Sequence, residues 1–121
     1  MEPVGVAVLV DARNVLRSRW PNIPEHELVE LVAGWAQSEG VRAVLVFDGT
    51  APALASDEVE VIGTGREESA DDWIERAAAE LASRGEPHWL VTSDRALRES
   101  AGAAAERVIG GGSFARELQP G

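Results

Sequence analysis

Three short apolar runs in this chain each end at an aspartate. The runs span residues 6–10, 44–47 and 89–93, and the aspartates that follow them are Asp11, Asp48 and Asp94. Apolar runs of this length without polar alternation are typical of strands buried on both faces, as in a parallel sheet. The carboxyl ends of parallel strands lie along one edge of the sheet, so the three carboxylates are expected to meet there. Like charges raise one another's pKa unless a cation lies between them, and the pattern therefore indicates a divalent metal site.

The composition limits the chain to a few classes of protein. Its 121 residues are enough for one domain, predicted over 1–121, with a core that needs no disulfide or structural zinc. The absence of cysteine excludes thiol catalysis and cysteine-ligated metals. No segment approaches the ~20 apolar residues of a membrane span, and Asp11 interrupts the first apolar run too early for a signal peptide. We therefore expect a soluble, cytoplasmic protein.

The charge balance is acidic as a whole but uneven along the chain. The formal net charge is −10, from 21 acidic residues and 11 arginines, and there is no lysine. That balance by itself disfavours general nucleic-acid binding. Six arginines nevertheless flank the predicted acidic cluster in sequence: Arg13, Arg17, Arg19, Arg66, Arg95 and Arg98. They are interpreted either as phosphate-binding groups or as ordinary solvated helix charges, and the sequence leaves both interpretations open.

Strand and helix patterns alternate along the chain. We predict strands at residues 4–10, 41–47, 58–61, 88–92 and 107–109. We predict helices at 25–39, 69–84 and 95–101, a shorter helix or turn at 14–20, and a last helical turn at 114–118. The loop 49–57 and the glycine run 110–112 are predicted to be flexible. This alternation implies an α/β fold, a three-layer α/β/α sandwich.

Asp11 and Asn14 follow the first predicted strand. Either could cap the helix that comes next, since both residue types are common caps, but one cap needs only one of them. A carboxylate at the end of a central strand is costly to bury without a partner, which favours Asp11 as a metal ligand. For Asn14, capping and organisation of the site remain equal alternatives.

Two neighbouring aspartates begin the most clearly patterned helix. Ser69 and Asp72 have the spacing of a capping box, which accounts for Asp72 without a functional role. Asp71 instead lies in helical register with Ile74 and Ala78 on the apolar stripe. Burying a carboxylate on that stripe costs free energy unless the carboxylate binds a partner. Asp71 is therefore the candidate metal ligand, and Asp72 is a secondary one.

The remaining acidic candidates each have a simpler explanation. Asp94 precedes a helix and could be its cap, although its position at a strand end also predicts a metal ligand. Asp48 precedes a glycine, a plain turn signal, and is a secondary, outer ligand. His26 and His88 are interpreted as ordinary surface or partly buried histidines. Trp20 and Trp73 are interpreted as packing in the core or at its rim, unless they lie near the acidic cluster, where they could stack a base. Without a lysine, the chain has no phosphate-binding loop.

Four short motifs in this order resemble the NYN domain of the YacP-like family, within the PIN-like nuclease superfamily. They are Asp-Ala-Arg-Asn at 11–14, Phe-Asp-Gly at 47–49, Ser-Ala-Asp-Asp-Trp-Ile-Glu at 69–75 and Thr-Ser-Asp at 92–94. The segment 113–118 is similar to the short closing segment of the same family. In place of the Gly-aromatic pair usual between the first Asp and Asn, this chain has Ala12-Arg13, and it is shorter than typical members.

The resemblance implies a PIN-like parallel sheet of strand order 3-2-1-4-5. It also implies cleavage of RNA that depends on Mg²⁺ or Mn²⁺ and leaves a 5′-phosphate. By position, Asp11, Asp71 and Asp94 would be the catalytic metal ligands, with Asn14 supporting them.

Two functional hypotheses follow. In the first, the chain is a metal-dependent endoribonuclease whose substrate is bound by five residues beside the acidic cluster: Arg13, Arg17, Thr92, Ser93 and Arg95. In the second, it is a non-catalytic module that binds RNA or the ribosome, which the altered Ala12-Arg13 turn and the acidic surface favour. A phosphatase is disfavoured because there is no Asp-x-Asp nucleophile pair.

Overall fold

The fold is a parallel sheet between two layers of helices, seen in a computed structural model that describes residues 5–19, 22–53 and 59–119. The strands are β1 (Ala7–Asp11), β2 (Arg42–Phe47), β3 (Val59–Gly63), β4 (His88–Val91) and β5 (Arg107–Ile109). The helices are α1 (Ala12–Arg17), α2 (Glu25–Glu39), α3 (Ala70–Ser83), α4 (Arg95–Ala101) and α5 (Gly111–Leu118). Every strand pairing is parallel and the strand order is β3-β2-β1-β4-β5, which confirms the predicted sheet.

The apolar runs form the centre of the sheet, as their sequences predict. All five residues of β1 are buried, and the register sets Val10 beside Leu45 of β2 and Val91 of β4. The edge strand β3 is only partly buried and leaves Glu60 exposed. The continuous runs therefore correspond to strands covered on both faces, and the alternating run corresponds to an edge.

Successive residues of β1 point into two separate cores. Val8 and Val10 pack with α1, α2 and α5, whereas Leu9 packs with α3 and α4. This alternation is the period of two that a strand imposes on its side chains. The two helix layers therefore cover opposite faces of the sheet, and both reach the edge where the strands end.

Helix boundaries follow local capping chemistry. α2 ends at Gly40, whose left-handed backbone (φ 69°) suits a residue without a Cβ. α3 begins after Ser69, whose hydroxyl accepts the backbone N–H of Asp72 at 3.1 Å, as the capping pattern predicts. α1 begins at Ala12, two residues earlier than predicted, because the helix starts directly where β1 ends.

The C-terminal helix differs from the prediction. α5 starts at Gly111, inside the glycine run that we expected to form a flexible turn. Gly110 has ordinary extended dihedrals (φ −66°, ψ 147°), and the buried side chains of Phe114 and Leu118 hold the helix on the core. The glycines are therefore the first turn of a packed helix.

Some predictions fall outside the described residues. Trp20, at the end of the predicted first helix, lies there, and so do the first residue of the strand predicted over 4–10, residues 54–57 of the loop predicted over 49–57, and the first residue of the strand predicted over 58–61. In the described part of the chain, no helix is long and apolar enough to cross a bilayer.

Candidate active site

Four aspartates from distant parts of the chain line one pocket at the carboxyl edge of the sheet. The pocket has a volume of about 190 Å³ and is also lined by Arg13, Asn14, Arg17, Ser69 and Ala70. Its acidic residues are Asp11, Asp48, Asp71 and Asp94. Each follows or ends a strand, or begins a helix, at the edge where loops of a parallel sheet build a binding crevice.

Asp11 is the most buried carboxylate of the pocket. It is the last residue of β1, its exposed fraction is 7 %, and its Oδ2 accepts a hydrogen bond from the Thr92 hydroxyl at 3.0 Å. Burial raises the pKa of Asp11 above its usual value, while the bonds from Thr92 and from the Asn14 backbone oppose the increase. The neighbouring Asp94 carboxylate adds to the increase, so the pocket disfavours a second negative charge.

Asp94 has a structural role as well as a place in the pocket. Its Oδ1 accepts the backbone N–H of Leu97 at 2.9 Å and caps α4. Its own backbone N–H donates to the Thr92 hydroxyl at 3.1 Å. The cap predicted from the sequence is confirmed, and Asp94 also lines the pocket, whereas its role as a metal ligand stays a prediction.

Thr92 is placed differently from the prediction that it contacts substrate. Its exposed fraction is 0 %, and its hydroxyl is already used between Asp11 and Asp94. With no exposed surface, it cannot touch an RNA, and it orients the two aspartates instead. No feature of the Thr-Ser-Asp motif distinguishes a buried threonine from an exposed one.

Asp71 and Asp72 separate as the helical pattern predicts. Asp71 is half-buried at the start of α3 and lines the pocket, whereas Asp72 is exposed and lies outside the lining. Burial raises the pKa of Asp71, and the charges of Asp11, Asp94, Glu75 and Asp48 raise it further. The structure therefore brings Asp71, but not the secondary candidate Asp72, to the other carboxylates.

Asp48 is an exposed residue at the rim of the pocket. The loop that carries it is hydrogen-bonded to residues 64–65, a contact that the sequence analysis did not predict. The backbone N–H of Gly49 donates to the Thr64 hydroxyl at 3.1 Å, and the N–H of Gly65 donates to the carbonyl of Gly49 at 3.0 Å. A Cβ on Gly63 would lie 2.9 Å from that same carbonyl oxygen. The Gly-Thr-Gly sequence at 63–65 is the feature of the sequence that could have predicted this contact.

Asn14 organises the site and does not cap α1. It lies inside α1, and its Oδ1 accepts the backbone N–H of Ser93 at 2.8 Å. The Ser93 hydroxyl in turn accepts the N–H of Gly111 at 2.8 Å. A Cβ on Gly111 would overlap Asn14 Oδ1, so only glycine fits there without movement. These contacts tie the ends of β1, β4 and β5 together around Asp94.

Four of the six candidate arginines lie at this edge. Arg13 and Arg17 line the acidic pocket, and Arg13 also donates to the Asp48 carbonyl at 3.1 Å. Arg95 and Arg98 line a separate depression beside Ser93. The other two differ from the expectation: Arg19 donates to the carbonyl of Gln119, and Arg66 is exposed outside the pocket lining.

The histidines and Trp73 lie away from the pocket. His26 is exposed, and His88 is buried at the first residue of β4, at the opposite edge of the sheet. Trp73 lines a groove together with Arg42 and Arg84, near the amino ends of the strands. A base stacked on Trp73 would therefore not be at the acidic pocket.

The donor set suits a hard divalent cation without forming a closed cage. Within residues 5–19, 22–53 and 59–119, no group of three or more acidic, histidine or cysteine side chains stands close enough to form a preformed metal site. Mg²⁺ keeps several waters and binds through one or two carboxylates together with substrate phosphate, so an open set of aspartates fits its chemistry. Burial raises the pKa of Asp11 and of Asp71, and neighbouring carboxylates add to the increase, so a cation in the pocket would favour their ionised forms.

Known proteins share this architecture. The chain is similar to the crystal structure of Rae1 (YacP) from Bacillus subtilis, with 24% identity and a TM-score of 0.73, covering 98% of this chain and 74% of that one. It is also similar to a tryptophan-to-leucine mutant of the same protein, with 25% identity and a TM-score of 0.75, covering 94% of this chain and 75% of that one. No curated protein matches the chain.

The sequence comparison agrees with the motifs and with the strand order. The family model of the YacP-like NYN domain matches residues 8–120, a range that contains all four aspartates of the pocket and the C-terminal helix α5. The resemblance carried by the short motifs is thereby confirmed, and the chain belongs to the YacP-like NYN domain family.

Proposed function

We propose that this domain is a metal-dependent endoribonuclease that hydrolyses RNA phosphodiester bonds at the acidic pocket. The observation that carries the proposal is the meeting of Asp11, Asp71 and Asp94 in one pocket, from three distant segments. Membership of the YacP-like NYN family, a group of PIN-like nuclease domains, supports a nuclease class. Burial and neighbouring carboxylates raise the pKa of Asp11 and of Asp71, and a bound cation would stabilise their ionised forms.

The three aspartates would hold Mg²⁺ or Mn²⁺, with Asp48 available at the rim as an outer ligand. When bound, the ion would lower the pKa of a water molecule that it coordinates, and it would offset the negative charge that develops on the phosphate oxygens. The domain itself positions the aspartates. The Thr92 hydroxyl donates to Asp11 and accepts the backbone N–H of Asp94, and the Asn14 side chain accepts the backbone N–H of Ser93, next to Asp94.

The arginines of the pocket would neutralise and orient the substrate. Arg13 and Arg17 line the same pocket as the aspartates, and the Arg17 charge lowers the pKa of Asp11. Guanidinium groups bind phosphate oxygens through charged, often bidentate hydrogen bonds. These two residues would therefore hold the phosphates next to the scissile bond while the aspartates face the reacting one.

The test compares two substitutions in the pocket with one beside it. Asp71→Asn and Asp94→Asn should abolish Mn²⁺-dependent cleavage of single-stranded RNA, and Asn remains a good helix cap at position 94, so the fold should persist. The matched control is Asp72→Asn, which removes the same charge one residue along α3 but outside the pocket lining. Cleavage at wild-type rate by either pocket variant would overturn the proposal.

A second candidate is a non-catalytic module that binds RNA, free or within the ribosome. Two observations favour it: the Ala12-Arg13 turn departs from the family pattern, and Arg13 donates to the Asp48 carbonyl at the mouth of the pocket. Such a module would bind RNA equally well in EDTA and in Mg²⁺ and would leave it intact. A nuclease would cleave RNA in Mg²⁺ or Mn²⁺ and stop when EDTA is added.

A further inference from the structure

We propose that the substrate is a single RNA strand that crosses the carboxyl edge of the sheet from one helix layer to the other, held on each side by its own arginine pair. This inference rests on the proposed function, because it takes the scissile phosphate to lie in the acidic pocket. The two pairs are Arg13 with Arg17, and Arg95 with Arg98. The positions of the two pairs define a path for the strand and a minimum length for the substrate.

The first arginine pair belongs to α1 and continues the acidic pocket outwards. Arg13 and Arg17 line both the acidic pocket and an adjoining depression of about 250 Å³, whose other lining residues are Leu16, Asn22 and Glu25. α1 packs in the layer of α2 and α5. A strand leaving the pocket on this side could therefore keep contact with the same two guanidinium groups as it passes over the α1 layer.

The second pair belongs to α4, in the opposite layer. Arg95 and Arg98 are three residues apart, so they lie on one face of the helix, and they line a depression of about 390 Å³ together with Ser93 and Glu99. α4 packs with α3 against the other face of the sheet. Asp94 lines the acidic pocket, and its sequence neighbours Ser93 and Arg95 line this depression, so the two sites adjoin at the start of α4.

None of these four guanidinium groups is engaged by a carboxylate in the described residues, and Arg13 alone donates a bond, to the Asp48 carbonyl. In the described part of the chain, salt bridges use Arg76 and Arg84, on and just after α3, and none involves either arginine pair. All four arginines are exposed in a chain with a formal net charge of −10. A polyanion would meet attraction at these two places and repulsion over most of the remaining surface, which limits where it can lie.

The depth of the pocket favours a single strand over a duplex. Asp11 has an exposed fraction of only 7 %, so a phosphate must enter the pocket between α1 and the start of α3 to approach it. A flexible strand can bend to enter it, and proteins that bind single strands combine a cationic groove with such local bending. A rigid duplex would rest on the rim, on Asp48 and Arg13.

Fluorescence anisotropy tests this path without depending on cleavage. The probe is a fluorescein-labelled single-stranded RNA of about 12 nucleotides, a length within the range that single-strand-binding folds cover, in Ca²⁺ with its integrity checked on a gel. Arg17→Ala and Arg98→Ala should each weaken binding and reduce the slope of log Kd against log salt by about 0.7, the value for one phosphate contact on a single strand. The control is Arg42→Ala, which removes the same charge from an exposed residue at the amino end of β2 and should leave the slope unchanged.

Shortening the RNA then separates the two sides. Removing nucleotides from one end should abolish the effect of Arg17→Ala only, and removing them from the other end should abolish the effect of Arg98→Ala only. Loss of both effects from the same end, unchanged salt slopes, or equal affinity for a blunt duplex would overturn the inference. If RNA is cleaved while the slopes stay unchanged, the path is wrong and the nuclease proposal stands; if the slopes change but no metal supports cleavage, the nuclease proposal fails and the path stands.

Discussion

The Thr92 hydroxyl donates a hydrogen bond to Asp11 Oδ2 at 3.0 Å from a position with no solvent exposure. The same hydroxyl accepts the backbone N–H of Asp94 at 3.1 Å. One buried oxygen thus links a strand-end carboxylate to the loop that carries a second one. Asp11 is 81 residues away from Thr92 in sequence, so this link exists only in the folded chain.

Replacing Thr92 with valine should destabilise the domain and impair the site. Valine has nearly the same shape but leaves Asp11 Oδ2 and the Asp94 N–H without their partner, and a buried group left unsatisfied costs about 1–3 kcal/mol. Urea unfolding at neutral pH measures the loss of stability, and RNA cleavage measures the effect on the site. Thr92→Ser keeps the hydroxyl and should retain most of the stability and most of the cleavage activity. Equal stability of the valine variant and wild type would contradict a stabilising role for the Thr92 hydrogen bonds.

Removing the Asp11 charge should stabilise the domain at neutral pH. Burial raises the folded-state pKa of Asp11 above 3.8, so between the unfolded and folded pKa values the folded state binds more protons. Stability therefore falls as pH rises through the folded pKa, and the ionised carboxylate is a cost at pH 7. Asp11→Asn should unfold at higher urea concentration than wild type at pH 7.

That advantage of Asp11→Asn should shrink on acidification, as the wild-type carboxylate takes up its proton, and should be absent below pH 3.8. Urea midpoints across this range give the measurement, without added divalent metal. Asp72→Asn, which removes an exposed charge outside the pocket, is the control for loss of one negative charge. An advantage that is constant with pH would contradict a raised pKa at Asp11.

Divalent cations should raise the melting temperature of the wild-type domain. An ion that binds the folded state at about 100 times its Kd adds about 2.7 kcal/mol to the free energy of unfolding. Mn²⁺ and Mg²⁺ should therefore stabilise wild type, and Asp71→Asn should remove most of that gain because it removes a carboxylate from the pocket. Differential scanning fluorimetry with and without EDTA is sufficient, and a melting temperature indifferent to both ions would count against a metal site.

Two adjacent glycines in α5 should respond in opposite ways to alanine. A Cβ at Gly111 would overlap Asn14 Oδ1, push it from the Ser93 backbone N–H, and cost about 1–3 kcal/mol in strain and lost contacts. A Cβ at Gly112 would meet only ordinary contacts, the nearer being Arg116 Nη1 at 3.7 Å. Because alanine is the better helix former, Gly112→Ala should be neutral or stabilising by a few tenths to about 1 kcal/mol.

Thermal unfolding and cleavage rates of Gly111→Ala and Gly112→Ala compare the two positions directly. Loss of cleavage in Gly111→Ala alone would agree with a role for Asn14 and Ser93 in positioning Asp94. Equal behaviour of the two variants would contradict the close packing of α5 on Asn14.

Much of the fold follows from periodic patterns. The predicted helices at 25–39 and 95–101 and the strand at 107–109 coincide with α2, α4 and β5. The helical period of 69–84 also places Asp71 with the buried Ile74 and leaves Asp72 outside, as observed. Such patterns are informative because the period of a helix or strand decides, within a few residues, which side chains face the core. The strand order rested on the family resemblance, which the fold confirms.

The predictions that were wrong concern contacts between distant segments. The glycine run was expected to be a flexible turn, yet Gly111 begins a helix whose first N–H is accepted by the Ser93 hydroxyl. Thr92 was expected to contact substrate, yet it is fully buried and donates to Asp11, 81 residues away. The partners Ser93 and Asp11 are distant in sequence from Gly111 and Thr92, so no local pattern could indicate these two contacts.

The sequence by itself therefore determined which segments are strands and helices, which of their faces are buried, and that acidic residues collect at one edge of the sheet. Only the tertiary structure decided which side chains touch: that Asn14 holds Ser93, that Thr92 supports Asp11, and that two arginine pairs stand in opposite layers. The reason is physical. Periodicity is a local property of the backbone, whereas a hydrogen bond across the end of a sheet depends on how several independent loops are brought within about 3 Å of one another by the packing of the whole core.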